Sequence, residues 1–179
     1  MIVFVGCMYS GKSTRLIQSL IERETRPVIA FKPMIDSRYS SDKIATHNGL
    51  TYPAFPVDNG PAGLEEILAK SRNYDVLGID EGQFFDFGLI GICDYLISKG
   101  KTVLCAGLDL DYRGRPFGPM PGMMALAEEV HKIKGTCKCS APATRTWKRQ
   151  TGEGKLIEVG SHDLYEARCR MCWERPRES

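Results

Sequence analysis

Residues 6–13 read Gly-Cys-Met-Tyr-Ser-Gly-Lys-Ser, which is the G-x-x-x-x-G-K-[ST] spacing of a phosphate-binding loop. Gripping phosphates requires several backbone N–H groups aimed at one point. Glycines supply the dihedral freedom and the close approach that this needs. The apolar run Met1 to Val5 precedes the loop and reads as a short buried strand, and Lys12 to about Glu24 reads as a helix. A loop that opens into a helix N-terminus places the positive end of the helix dipole against the anion. Strand, glycine turn and helix in that order leave few folds open to the chain.

The rest of the sequence continues the alternation. Val28–Phe31, Asp75–Ile79 and Thr102–Ala106 read as strands, and Leu64–Lys70, Leu89–Lys99 and Met123–Lys134 as helices. Pro33 to Pro61 reads as loop with room for a hairpin, and Asp109 to Gly122 as loop. This pattern predicts an α/β fold, a parallel sheet with crossover helices on its faces. After Gly135 helical periodicity gives way to cysteines, glycines and short β-type runs. The expected organisation is a nucleotide-binding domain over 1–134, a small cysteine-bearing domain over 135–175 and a frayed tail over 176–179.

Two further patterns carry chemistry. The strand ending at Ile79 runs into Asp80 and Glu81, and ligands of open α/β sheets gather at the carboxyl ends of strands. With a phosphate loop upstream, Asp80 is expected to hold Mg²⁺ together with the Ser13 hydroxyl, Lys12 to reach the β- and γ-phosphates, and Glu81 to act as general base. The second pattern is Cys137-x-Cys139 followed by Cys169-x-x-Cys172. Two thiolate pairs on tight turns can close a tetrahedral Zn²⁺ site. The other cysteines, Cys7, Cys93 and Cys105, read as small buried hydrophobes. The formal charge of +2, from 24 basic and 22 acidic residues, gives no support to a nucleic-acid partner. No apolar run is long enough to span a membrane, and a reduced, cytoplasmic setting is expected.

Taken together, these motifs resemble type II thymidine kinases along nearly the whole chain. The resemblance rests on GCMYSGKST at Gly6–Thr14, DSRYSSD at Asp36–Asp42, THNG at Thr46–Gly49, GIDEGQFF at Gly78–Phe85, RPFG at Arg115–Gly118 and the two cysteine pairs. It implies a P-loop NTPase-like sheet plus a small zinc-ribbon or "lasso" domain. It also implies transfer of the ATP γ-phosphoryl group to the 5′-hydroxyl of thymidine, with deoxyuridine as a further substrate. Under this resemblance Gly6, Cys7, Met8, Tyr9, Ser10, Gly11, Lys12 and Ser13 hold ATP. Asp36, Ser37, Arg38, Asp80, Glu81, Gly82 and Gln83 complete the phosphate and Mg²⁺ region. Met8, Phe84, Leu108, Tyr112 and Phe117 line the base pocket. Thr146 and the stretch Leu156, Ile157, Glu158, Val159 and Gly160 bond the base, and Tyr165 contacts the sugar. A homotetramer and feedback inhibition by dTTP are implied by the resemblance alone.

This sequence departs from the family pattern in three places. Cys7 stands where proline is usual, Arg15 where glutamate is usual, and Thr136 where the first zinc cysteine often lies, leaving Cys137 in that role. The same motifs leave two rival functions open: a P-loop NTPase switch without a nucleoside pocket, and a zinc-ribbon nucleic-acid-binding protein.

Overall fold

The computed structural model describes residues 1–35, 42–149 and 164–174. Six strands form one sheet. In chain order they are β1 (Ile2–Val5), β2 (Val28–Pro33), β5 (Phe55–Val57), β6 (Val76–Ile79), β7 (Thr102–Gly107) and β8 (Glu129–Lys132). The intervening β3 (Lys43–Ala45) and β4 (Thr51–Pro53) make a separate antiparallel hairpin. The sheet order is β5-β2-β6-β7-β1-β8, with every neighbouring pair parallel. The predicted α/β architecture is therefore present.

Residue alternation explains how both faces are covered. Val3 and Val5 of β1, Leu77 and Ile79 of β6, and Val103 and Cys105 of β7 point into one core. They meet α2 (Pro61–Lys70), α3 (Gly88–Ser98) and α4 (Met120–Leu126) through Leu64, Ile67, Leu89, Cys93, Leu96, Met120 and Met123. Phe4, Val76, Leu104 and Ala106 point to the other face, against Leu16, Ile17 and Leu20 of α1 (Lys12–Ile21) and Ile44 and Tyr52 of the hairpin. Successive strand residues face opposite sides, so a parallel sheet covered on both sides needs apolar residues at consecutive positions. Cys93 and Cys105 are fully buried, as expected of small hydrophobes, and burial pushes both thiols up, Cys93 to about 12.

One element differs from the sequence reading. The pattern predicts a single helix over Met123–Lys134, but α4 ends at Leu126 and the chain turns extended at Ala127. Glu128 and Glu129 then donate their N–H groups to the Met1 carbonyl, and Glu129–Lys132 pair in register with Ile2–Val5 as the edge strand β8. Local preference for helix is worth only tenths of a kcal/mol per residue. The hydrogen bonds offered by the open edge of β1 outweigh it.

After Lys134 the chain leaves the sheet. It forms β9 (Gly135–Thr136) against β10 (Pro142–Ala143), then β11 (Arg145–Lys148) against β12 (Tyr165–Arg168), and ends its described part in α5 (Arg170–Glu174). Among the described residues the apolar core of this lobe is a small cluster of Cys137, Ala143 and Cys172, joined by Cys7 from the phosphate loop.

Candidate active site

The sheet order puts β7 between the strand that carries the glycine loop and the strand that runs into Asp80. All three exit at the same edge, so the loop, the acidic pair and Asp109 meet at the carboxyl end of the sheet. Gly6 leaves β1 with φ +149, and a Cβ there would lie 2.2 Å from the Ile133 carbonyl oxygen. No other residue fits that gap. Gly6→Ala is expected to lose nucleotide binding in calorimetry, since the backbone conformation alone costs about 1–3 kcal/mol before the clash is relieved.

Within the loop, Tyr9 adopts φ 62 and Gly11 φ 91, and Gly11 hands the chain to α1. Lys12 is buried, and its Nζ donates to the Cys7 carbonyl at 2.8 Å. Burial lowers the pKa of this ammonium, while Glu81, Cys7, Asp80 and Asp109 nearby pull it back up. Ser13 Oγ donates to Asp80 Oδ1 at 3.0 Å, which brings together the two groups expected to share a divalent cation.

Glu81 sits at φ 51, ψ 41, an uncommon backbone region for a side-chain-bearing residue, and such positions cluster at functional sites. The short helical turn Gly82–Phe84 comes directly after it. Gln83 fixes the carboxylate. Its Nε2 donates to Glu81 Oε2, and its Oε1 accepts the Leu108 N–H at 2.9 Å. Gly118 closes over the Gln83 backbone, where a Cβ would meet the carbonyl oxygen at 2.2 Å.

The two phenylalanines of the motif separate. Phe85 is buried in the sheet core. Phe84 is half-buried and meets Phe117 edge to face at 5.8 Å between ring centres. Tyr112 and Tyr165 both lie around Lys148, whose Nζ is 5.2 Å and 6.0 Å from their ring centres. Leu108 is buried beside the turn, and Met8 is half-buried on the loop. Thr146 is buried in β11, and its Oγ1 accepts the Met8 N–H at 3.0 Å. Asp36, Ser37, Arg38 and Leu156 to Gly160 lie outside the described residues.

Three residues that contact the site are absent from the sequence reading. Asp109 is buried and pairs with Lys132 of β8 at 2.7 Å, across the exit of β1. It lies just past the end of β7, so the strand-end rule that selects Asp80 applies here too. Lys148 and Trp173 carry no sequence signal, since an aromatic or a lysine in a β-rich lobe is ordinary.

The four thiols Cys137, Cys139, Cys169 and Cys172 have sulfurs all within 4.8 Å of one another. Tetrahedral zinc with Zn–S bonds of about 2.3 Å sets ligand sulfurs about 3.8 Å apart, and Cys139 and Cys169 lie at 3.7 Å. Ser140 at φ 65 turns the first pair, and the Cys172 N–H points at Cys169 Sγ. The donor set and its spacing fit Zn²⁺.

A family model described as thymidine kinase matches residues 1–173. A curated "Thymidine kinase" from Rhodothermus sp. (strain ITI 518) is 42% identical over 178 residues, covering 98% of this chain and 81% of that protein. Two solved structures are remote likenesses. The replication initiator DnaA bound to AMPPCP and single-stranded DNA is 11% identical with a TM-score of 0.41, over 74% of this chain and 40% of that one. Bacteroides Pif1 bound to ssDNA is 17% identical with a TM-score of 0.34, over 70% of this chain and 32% of that one. Both are too distant to bear on function.

Proposed function

The chain belongs to the thymidine kinase family, and from that premise we propose how its residues divide the transfer of the ATP γ-phosphoryl group to the 5′-hydroxyl of thymidine. The observation that carries the assignment is the meeting of Lys12 and Ser13 with Asp80 at one sheet edge.

In this reading Gly6 to Ser13 wrap the triphosphate and Lys12 offsets its charge. Ser13 and Asp80 would hold Mg²⁺, which when bound would neutralise charge on the transferring phosphoryl group. Glu81 accepts the proton of the attacking 5′-hydroxyl, and Gln83 holds its carboxylate in place. Gly82 lets the turn pack closely. Phe84, Phe117, Leu108, Tyr112 and Met8 enclose the pyrimidine, Thr146 bonds it and Tyr165 meets the sugar. Asp36, Ser37, Arg38 and Leu156–Gly160 keep the roles that the family implies. A base pocket fitted to a pyrimidine rejects purines sterically, and deoxyuridine, lacking one methyl group, is a second substrate.

The zinc thiolates hold the small domain, proposed to run over 135–175 beside a nucleotide-binding domain over 1–134. We further propose dTTP as a feedback inhibitor, because its base suits the nucleoside pocket and its phosphates suit the loop. A homotetramer and a cytoplasmic location complete the reading. Among the described residues no helix is long and apolar enough to cross a membrane.

The test is phosphate transfer measured across the four natural deoxynucleosides, with ATP consumption followed in parallel. Thymidine is expected to be phosphorylated and to raise ATP turnover well above its nucleoside-free rate. Equal ATP hydrolysis with and without thymidine, and no dTMP, would instead support an NTPase switch.

A further inference from the structure

The peptide unit between Cys7 and Met8 is held from both sides. Its carbonyl accepts the Lys12 Nζ at 2.8 Å, and its N–H donates to Thr146 Oγ1 at 3.0 Å. A peptide unit is planar, with C=O and N–H pointing in opposite directions. Whatever fixes the N–H therefore fixes where the carbonyl points, and with it the ammonium that the carbonyl holds. Thr146 belongs to the cysteine lobe, not to the sheet domain that carries Lys12.

The hold on Thr146 continues into the cysteine cluster. The indole Nε1 of Trp173, the residue after Cys172, donates to the Thr146 carbonyl at 3.2 Å and also lies 3.3 Å from the Tyr112 carbonyl. A second contact runs in parallel. The Cys7 thiol points at the Ala143 carbonyl at 3.5 Å and packs in one buried cluster with Cys137, Ala143 and Cys172. The outer side of the phosphate loop thus rests on the cysteine lobe at two consecutive residues.

We propose that Thr146 is a positioning residue for ATP: it orients the Cys7–Met8 peptide and through it Lys12, so the cysteine lobe presets the phosphate grip before any nucleoside arrives. This rests on the reading of Gly6–Ser13 as the ATP site and adds a role for Thr146 distinct from its contact with the base. A buried hydroxyl that accepts from Met8 still has its own proton to donate, so the two roles are compatible. One side chain then ties the affinity for ATP to that for nucleoside, and such coupling acts equally in both directions.

The experiment is equilibrium binding of a non-hydrolysable ATP analogue to the zinc-loaded full chain with no nucleoside present. Thr146→Val keeps the shape and removes the acceptor. It is expected to weaken analogue binding about tenfold, the scale of one lost hydrogen bond, while Thr146→Ser, which keeps the hydroxyl, binds nearly as the parent does. A Val variant that binds the analogue like the parent, with only its thymidine KM raised, overturns the proposal and leaves the ATP site intact. A parent chain that fails to bind the analogue overturns the ATP-site reading itself. Should Thr146→Val not fold, hydrogen exchange of the Met8 amide in the nucleotide-free parent decides the matter. Slow exchange is expected, and exchange as fast as in an open loop overturns the link.

Discussion

Glu81→Gln is expected to lower kcat by about 10²–10⁴-fold, the usual loss on removing a general base, while nucleotide binding stays close to that of the parent. The two side chains have the same shape. The amide cannot take the proton of a 5′-hydroxyl, but it can still meet Gln83. The backbone at Glu81, with φ 51, is set by the packed turn after it, where a Cβ on Gly82 would meet Cys105 and Met120 sulfurs at 2.8 Å. The substitution therefore removes a function without moving the chain. Steady-state kinetics and direct binding of ATP, measured on the same preparation, check this. A variant with near-normal kcat would assign the proton transfer to another group, and among the described residues Asp80 and Asp109 are carboxylates that the fold brings to the same sheet edge.

Removal of zinc should have the second large effect. Structural zinc sites contribute on the order of 10–16 kcal/mol of apparent binding free energy to small domains, comparable with the whole stability of an ordinary domain. Among the described residues the apolar core of the lobe is small. Its buried apolar cluster is Cys137, Ala143 and Cys172 with Cys7 borrowed from the phosphate loop, all small side chains. Chelation, or Cys139→Ser, is expected to open the segment around β9–β12 to protease, to raise the KM for thymidine, and to spare the sheet domain. The sheet domain has two cores of its own. Limited proteolysis with mass spectrometry reads both parts at once. Unchanged cleavage in the lobe after metal removal would contradict the assignment.

Parts of the site are legible in the sequence alone. The glycine loop, Asp80, Glu81 and the cysteine pairs announce themselves because their chemistry demands particular residue types at short, fixed spacing. Asp109 is legible in principle, since it lies close behind a strand, but the Gly- and Pro-rich stretch after it reads as plain loop. Phe84 and Phe85 are indistinguishable as residues; one lies in the core and the other at the site because a short helical turn separates their directions. Lys148 and Trp173 are not legible, because their partners are far away in sequence: Trp173 reaches Tyr112 and Thr146.

The sequence by itself determined the kind of fold and the kind of chemistry. Alternating apolar runs require a covered parallel sheet, and a glycine-bracketed lysine can grip phosphate wherever it is placed. Only the tertiary structure decided that residues 129–132 form an edge strand, not the end of a helix, because the free hydrogen-bonding edge of β1 is a long-range fact. The same holds for the Cys7–Met8 peptide, held by a lysine five residues from Cys7 and a threonine from the other lobe. Contacts between residues distant along the chain depend on how elements pack, and local spacing carries no record of that.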